Sequence, residues 1–438
     1  MTSIAQTQNN VSLNALARES IIAIVLQIAG LVLAYLVEVL LAQWMGRTEY
    51  GIYAYVISWS LILAIPAGLG LPRAVLRFIC EYKVKQEWGL LRGLLLSSWE
   101  LTVAVGLLLC LGGTGIILWL NRDNSSIASS ALLVGMLLVP LQGLVLLQED
   151  MARGAGSVTL AYGPTKVLWP ILVIFGGFVL FEQQPVLSSI PVIWVAIATL
   201  LAVILLQLCL LWLKFDREIV STPPIYILPD WLKVALPLLL YEASCKLLLQ
   251  MDVLMLGLRL GAEEVGAYSA ATKTALWVNL ILQAINIVAA PAFATLYAQN
   301  DRRELQEVVS TVALWIFVPS VAIALCLTIF SQPILSLFGA EFVVASWELK
   351  ILALGQLIDV MCGSVGYLMI MTGHQNQSFM VSGCCLSINL VLNAIAIPLL
   401  GRLGAAIATA FTLIVWNVWM SILVVRHIQI NPSIFSLF

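Results

Sequence analysis

Ile21-Ile22-Ala23-Ile24-Val25-Leu26-Gln27-Ile28-Ala29-Gly30-Leu31-Val32-Leu33-Ala34-Tyr35-Leu36-Val37 carries no charge, and residues 190–206 repeat the pattern. A bilayer core about 30 Å thick needs roughly 20 apolar residues per helix. The runs are apolar on every face, so they read as helices and not as barrel strands, which alternate over about ten residues. Outward from these two, further runs give twelve spans: 21–44, 51–79, 93–120, 127–149, 158–181, 189–213, 235–258, 266–297, 308–330, 346–373, 378–400 and 405–427. The second and eighth are long enough to end as interfacial helix.

Composition agrees. Of 438 residues, 61% are hydrophobic and 10% charged, with a mean hydropathy of +1.03. Soluble domains are roughly 45–50% apolar and about 25% charged, so a soluble enzyme is excluded. Disordered chains need low hydrophobicity and high net charge. The net charge of −2 leaves no basic footprint for nucleic acid. The fold class expected is an all-α polytopic membrane protein.

The first ten residues are polar, and the first apolar run is too long for a signal peptide, so it reads as a true span. The eight cysteines (Cys80, Cys110, Cys209, Cys245, Cys326, Cys362, Cys384 and Cys385) form no CxxC and lie in or beside spans. They read as small apolar side chains, with no disulfide or metal framework. His374 and His427 are too few for a metal cluster.

Lys and Arg counts in short loops set orientation. With the amino terminus inside, the inside segments hold 13 of them and the outside loops four: Arg47, Arg122, Arg259 and Arg402. Both termini are expected in the cytoplasm. The longest segment between spans, 214–233, carries Pro223, Pro224 and Pro229 and reads as an extended linker. About 20 residues cannot bury a core. With no GxxxxGK[ST] either, no ATP-hydrolysing domain is expected.

An internal repeat gives the architecture. Gly46-Arg47-Thr48-Glu49-Tyr50-Gly51-Ile52-Tyr53 and Gly261-Ala262-Glu263-Glu264-Val265-Gly266-Ala267-Tyr268 match in Gly, Glu, Gly and Tyr at one offset of 215 residues. Each is followed by a long span and a charged stretch, 81–87 and 301–307. Six spans return the chain to the same side, so the halves are parallel repeats. The expected domains are an N-terminal six-helix lobe at 1–213, a cytoplasmic linker at 214–233 and a C-terminal lobe at 234–438. Two bundles around a mid-depth site is an alternating-access layout.

The stretches 41–53 (Leu41-Ala42-Gln43-Trp44-Met45-Gly46 onward), 68–82 (Gly68-Leu69-Gly70-Leu71-Pro72-Arg73 onward) and 393–409 (Asn393-Ala394-Ile395-Ala396-Ile397-Pro398 onward) resemble the O-antigen and exopolysaccharide flippases. These belong to the multidrug/oligosaccharidyl-lipid/polysaccharide (MOP) superfamily. The resemblance implies translocation of an undecaprenyl-diphosphate-linked oligosaccharide from inner to outer leaflet of the bacterial inner membrane. It implies polysaccharide or lipopolysaccharide biosynthesis, with no catalysis. Membrane lipids and the lipid-linked oligosaccharide are the partners, with contacts to polysaccharide-assembly proteins left open. Lipid II flippases differ by a charge-rich first span, where this chain has only Glu38.

A charge at the bilayer centre costs about 2.5–3.5 kcal/mol on insertion scales, so it persists where it faces a cavity or a partner. Lys246 is the first candidate for gripping a diphosphate, with a salt bridge to Glu242 as the alternative. Lys166 and Lys273 come second, and Arg73 and Arg77 are placed to receive the headgroup at the inner end of span 2. Glu242, Lys246 and Gln250 form one stripe at i, i+4, i+8. Glu38, Asp359, Asp252 and Glu242 are the candidates for H+ or Na+ coupling or for counter-charge; no other cofactor is expected. Trp59 and Trp277 lie deep enough to stack on sugars. The rival readings are an ion-coupled multidrug antiporter and an integral membrane glycosyltransferase or polymerase.

Overall fold

Gly46 decides how the first helix is used. In the computed structural model, which describes residues 2–122, 127–184, 186–218, 222–299 and 301–434, one continuous helical run covers Thr2–Ala67. Gly46 interrupts it with φ 74° and ψ 172°, a conformation that side-chain-bearing residues avoid. The run therefore makes two crossings: span 1 before Gly46 and span 2 from 47 to Ala67. Gly261, the matched residue, has φ 92° between Leu228–Arg259 (span 7) and Ala262–Ala275, the start of span 8.

The remaining spans follow in order. Span 3 is Trp88–Leu120. Span 4 is Ile127–Gly135 with Leu138–Gly154, bent by 40° at the break. Span 5 joins Val158–Tyr162 to Trp169–Gln183 through a π-helical turn, Gly163–Leu168. Span 6 is Ser189–Glu218. Span 8 continues through a 3-10 turn, Leu276–Asn279, into Leu280–Ala298. Span 9 is Arg302–Ile329, and span 10 joins Ala340–Ala345 and Ser346–Cys362 to Val365–Met371 with a 42° bend. Spans 11 and 12 are Gln375–Leu400 and Arg402–Ile428. Among the described residues there is no strand.

Seven described helices cross a membrane by length and apolarity alone, and the two bent pairs raise that to nine. Splitting the first run at Gly46 makes ten. Span 7 and the jointed span 8, which runs from Ala262 to Ala298, complete the twelve. Proline marks several joints: Pro140 follows the break in span 4, Pro164 lies in the π turn and Pro170 just after it, where a missing N–H leaves the ladder incomplete.

Two of the boundaries that differ from expectation follow the long spans. Span 2 stops at Ala67, and Gly68–Gly70 turn the chain into a separate amphipathic helix, Leu71–Lys85, which buries Leu71, Val75, Phe78, Ile79 and Tyr82. The stretch 301–307 is the first turn of span 9, where Asp301 caps the helix by accepting from the Glu304 N–H at 3.0 Å.

The repeat is a contact as well as a pattern. A Cβ at Gly51 would collide with the carbonyl of Ala262, and one at Gly266 with the carbonyl of Arg47. Shifted by 215 residues, 51 becomes 266 and 47 becomes 262, so the two contacts are one contact related by a twofold. The matched glutamates also do matched work. Glu49 accepts from the N–H of Ser189, at the start of span 6, at 2.6 Å. Glu264 holds Arg402, at the start of span 12, at 3.0 Å. Each glutamate ties the sixth helix of its own lobe to its second.

Of the stretch 214–233 expected as an extended linker, residues 214–218 continue span 6 and 228–233 open span 7, which leaves 222–227 as its described extended part, laid against the N-terminal lobe. Ile225 N–H donates to the Gly89 carbonyl at 2.9 Å, and Trp231, fully buried, donates from Nε1 to Tyr82 Oη at 2.9 Å. Residues 219–221 of the expected linker lie outside the described residues.

Candidate transport site between the lobes

Spans 1 and 2 pack against spans 7 and 8, and the contact is closed at the Gly46 end. There Gln43 Nε2 donates to the Leu337 carbonyl at 2.6 Å, and the Arg47 N–H donates to Glu341 at 2.6 Å. The Arg47 guanidinium is ion-paired with Glu263. These bonds and the Gly51–Gly266 packing seal that side.

Below this closure lies a cavity of about 550 Å³. It extends from Glu38 and Tyr53 toward Asn286, Ser378 and Met420 at the linker end. Its wall comes from spans 1 and 2 and from spans 7, 8, 10, 11 and 12, so it belongs to the seam and the C-terminal lobe more than to the N-terminal lobe.

The structure joins two of the candidates directly. Lys273 Nζ, on span 8, is 2.9 Å from Glu38 Oε1, on span 1, and both line the cavity. Tyr50 Oη donates to the other oxygen, Glu38 Oε2, at 2.8 Å. Glu38 is thus held by one group from each lobe. Asp252 and Asp359 also line the cavity, deep in the C-terminal lobe. Asp252 Oδ2 accepts from Tyr268 at 2.5 Å and from Thr409 at 2.9 Å, whereas Oδ1 is buried with no partner among the described residues. Asp359 Oδ2 accepts from Asn279 Nδ2 at 2.7 Å, and the same amide bonds Gln356.

The remaining candidates fall elsewhere. Glu242 pairs with Arg73 Nε at 2.6 Å, across the seam, and not with Lys246. Arg73 also reaches Asp150 at 3.5 Å, which Arg153 holds at 2.7 Å. An arginine fork placed between two carboxylates outcompetes a lysine one turn along the same helix. Lys246 is half-buried, off the cavity wall, with no ion-pair partner among the described residues. Its stripe nevertheless faces the N-terminal lobe, because Gln250 accepts from Ser58 of span 2 at 2.8 Å while Glu242 takes Arg73 of the amphipathic helix. Lys166 sits in the π turn, 3.6 Å from Glu149, and packs against Gly30 of span 1. Arg77 is exposed on the amphipathic helix, over the Phe78 ring.

Trp59 and Trp277 are edge-on to Tyr55 and Tyr35 and do not line the cavity. An aromatic residue that does stand on its wall is Trp416, whose Nε1 donates to Ser382 Oγ at 3.3 Å. Charge counting also missed the neutral polar wall: Asn279, Gln356, Asn389 and Thr412 among others. Asn393 Nδ2 donates to Asn389 Oδ1 at 3.0 Å, and Asn389 Nδ2 to Thr412 Oγ1 at 3.3 Å. The signal for these residues was present as isolated amides and hydroxyls inside apolar spans.

Two six-helix lobes in parallel repeat, with a polar cavity on their seam, define a multi-pass membrane protein with the transporter fold of the MOP superfamily. The structure is similar to a multidrug resistance MATE family transporter of that superfamily in its inward-facing conformation, with a TM-score of 0.75 and 15% identity, covering 91% of this chain and 94% of that one. It is also similar to the lipid II flippase MurJ in an inward closed conformation, with a TM-score of 0.70 and 15% identity over 92% of this chain and 87% of that one.

Residues 16–297 match the polysaccharide biosynthesis protein family, and the chain belongs to it. Residues 237–395 match the MatE family as well. Among curated relatives, a probable low-salt glycan biosynthesis flippase, Agl15 of Haloferax volcanii, is 24% identical over 404 residues, covering 91% of this chain and 81% of the relative.

Proposed function

We propose that this protein is a flippase that turns an oligosaccharide carried on a polyprenyl diphosphate from one leaflet to the other by alternating access. The observation that carries this reading is the Lys273–Glu38 pair on the wall of a cavity closed at one end and otherwise lined by amides and hydroxyls. A diphosphate can take Lys273 from Glu38, and in a poorly hydrated site that attraction is less screened than in water. Neutral amides and hydroxyls offer hydrogen bonds to sugar hydroxyls. At about 550 Å³ the cavity holds a headgroup and leaves the lipid tail in the bilayer. The family match and the glycan-flippase relative support the same substrate class.

In this reading residues 1–213 and 234–438 rock about the seam. Both termini lie in the cytoplasm by the distribution of Lys and Arg, and the closed Gly46 end faces outward. The membrane is the bacterial inner membrane and the carrier undecaprenyl diphosphate, as the sequence resemblance implies. Arg77 meets the headgroup at the membrane surface, and Arg73 and Lys246 meet it along the seam once the linker end opens. Lys166, paired within the N-terminal lobe, is a later contact. The protein carries its substrate without altering it.

Coupling to H+ or Na+ runs through the C-terminal carboxylates. Asp252 is the best placed, with its unpartnered oxygen buried beside the cavity. Asp359 stands on the same wall, and Glu38 and Glu242 serve as counter-charges.

The deciding experiment follows transbilayer movement of a fluorescent undecaprenyl-diphosphate oligosaccharide in proteoliposomes. Wild type should move it, Lys273→Met should abolish movement and Lys246→Ala should slow it, with both variants folded. A specific observation favours a second reading, an ion-coupled drug antiporter: the cavity holds Glu38, Asp252 and Asp359 against one lysine. Proton-driven efflux of a cationic dye, with no movement of the lipid, would establish that reading instead.

A further inference from the structure

A second cavity, of about 430 Å³, lies on the lipid side of the N-terminal lobe. Span 3 gives it a face from Arg92 through Trp99 to Glu100, and span 6 a face from Leu208 through Trp212 to Asp216. Both follow the i, i+3, i+4, i+7, i+8 spacing of one helical face. The two helices pack on span 4, which supplies Met151 as the floor, and make little contact with one another. They run in opposite directions, so Arg92 and Asp216 share the mouth at the linker end, and Glu100 lies about 12 Å deeper, two turns along span 3.

The charges at the mouth are unusual. Arg92 and Asp216 line one groove, yet among the described residues they form no ion pair; Arg92 Nη1 instead donates to the Thr222 carbonyl at 3.2 Å. Trp212 lies one turn below Asp216, at the depth where tryptophan rings meet lipid headgroups, and Trp99 two turns below Arg92, beside Glu100. Leu95 and Leu96 line the wall between Arg92 and Trp99, and Leu208 and Leu211 continue it beneath Trp212. We infer that this groove is a binding site for a zwitterionic aminophospholipid: Arg92 takes the phosphate, Asp216 the ammonium, and one acyl chain lies between spans 3 and 6. The opposite charges, held apart across the mouth, complement a headgroup with both signs. Either an anionic lipid or a cationic amphiphile would meet a repelling partner there. Glu100 is exposed to the apolar groove with no partner among the described residues. The site is separate from the seam cavity and shares no residue with it.

The test uses the full chain in proteoliposomes of phosphatidylcholine, with increasing fractions of a lipid brominated in its acyl chains. Quenching is compared between the wild type and a Trp99→Phe/Trp212→Phe variant, whose difference isolates the groove. Brominated phosphatidylethanolamine should quench that component at several-fold lower mole fraction than brominated phosphatidylcholine or phosphatidylglycerol. Asp216→Asn should erase the advantage over phosphatidylcholine, Arg92→Ala should weaken both lipids, and Arg92→Lys should restore part of the effect. Equal wild-type curves for the three headgroups would reduce the groove to ordinary lipid contact. A steeper curve for phosphatidylglycerol would overturn the zwitterion assignment. Both of these outcomes are read on the wild type against its Trp99→Phe/Trp212→Phe background and do not depend on a charge variant folding.

Discussion

Lys273 and Glu38 stand 2.9 Å apart, one on each lobe, on the wall of the seam cavity. The lysine side chain is 40% exposed and the glutamate 17%, so the pair is wet on one side and held by Tyr50 on the other. An anion entering from the linker end meets the lysine with its exposed side free. In the proposed mechanism, substrate capture and loosening of the seam are a single event, because the same lysine would serve both.

Lys273→Met should therefore cut transport by more than tenfold, which is about 1.4 kcal/mol at the binding step or more. Glu38→Gln should act in the opposite sense on affinity. It frees the lysine, so a diphosphate lipid should bind more tightly while turnover falls. Titration of a labelled lipid against detergent-solubilised protein, set beside proteoliposome transport, separates the two effects. Unchanged affinity in both variants would remove Lys273 from the binding site.

The Gly46 end should open when its close packing is disturbed. Alanine at Gly51 puts a methyl into the Ala262 carbonyl, and alanine at Gly266 puts one into that of Arg47. Either substitution should shift the protein away from the form closed at that end. Spin labels at Gln43 and Leu337, whose side chain and carbonyl are bonded at 2.6 Å, should report a longer distance in Gly51→Ala than in the parent protein. A cross-linked Gln43→Cys/Leu337→Cys pair should stop transport, and reduction should restore it.

Much of this arrangement was legible in the sequence, and the exceptions have physical causes. The Gly46–Tyr53 and Gly261–Tyr268 match pointed to a twofold because each glycine and glutamate has the same task in both halves. The tyrosine is subtler. Tyr268 donates to Asp252, but in the first half it is Tyr50, and not the matched Tyr53, that donates to Glu38. Charges inside spans were visible one by one, because each is costly in lipid. Their partners were not, since Lys273 and Glu38 are 235 residues apart in the chain. Lys246 shows the opposite failure. Spacing along one helix offered Glu242 as its partner, but Arg73, on another helix, holds that carboxylate. The amides of the cavity wall were illegible because a neutral Asn or Gln in a span is as readily a helix–helix contact as a substrate contact.

The linker-end bridge should be reversible in charge. Arg73→Glu or Glu242→Arg alone leaves like charges facing each other beside Asp150, and thermal stability in detergent should fall. The double exchange should recover part of the loss. The Arg73 side chain is 45% exposed, so the coupling should be about 0.5–1 kcal/mol, the range of exposed pairs. A coupling of zero would mean that Arg73 is held in place by Asp150 alone.

Glu49 and Glu264 provide a test of structure apart from transport. Each bonds the start of the last helix of its own lobe, Glu49 to the Ser189 N–H and Glu264 to Arg402. Hydrogen bonds to charged groups contribute about 1.5–3 kcal/mol. Glu49→Gln keeps an acceptor and should lose less stability than Glu49→Ala. Glu264→Gln should be buffered further, because Arg402 retains Glu348 at 3.1 Å. The expected order of melting temperature is wild type, then Glu264→Gln, then Glu49→Gln, then Glu49→Ala, with transport per folded molecule little changed.

Asp252→Asn addresses coupling. The substitution keeps the size of the side chain and an oxygen for Tyr268 and Thr409 but removes the charge, so the fold should persist. If the free, buried oxygen of Asp252 takes up the driving cation, the variant should exchange substrate between leaflets yet fail to accumulate it against a gradient. Asp359→Asn serves as the comparison, because Asp359 lines the same cavity with an amide already on it. Proteoliposomes with imposed Na+ or proton gradients distinguish the two ions. Concentrative transport that survives in Asp252→Asn and fails in Asp359→Asn would move the coupling site from span 7 to span 10.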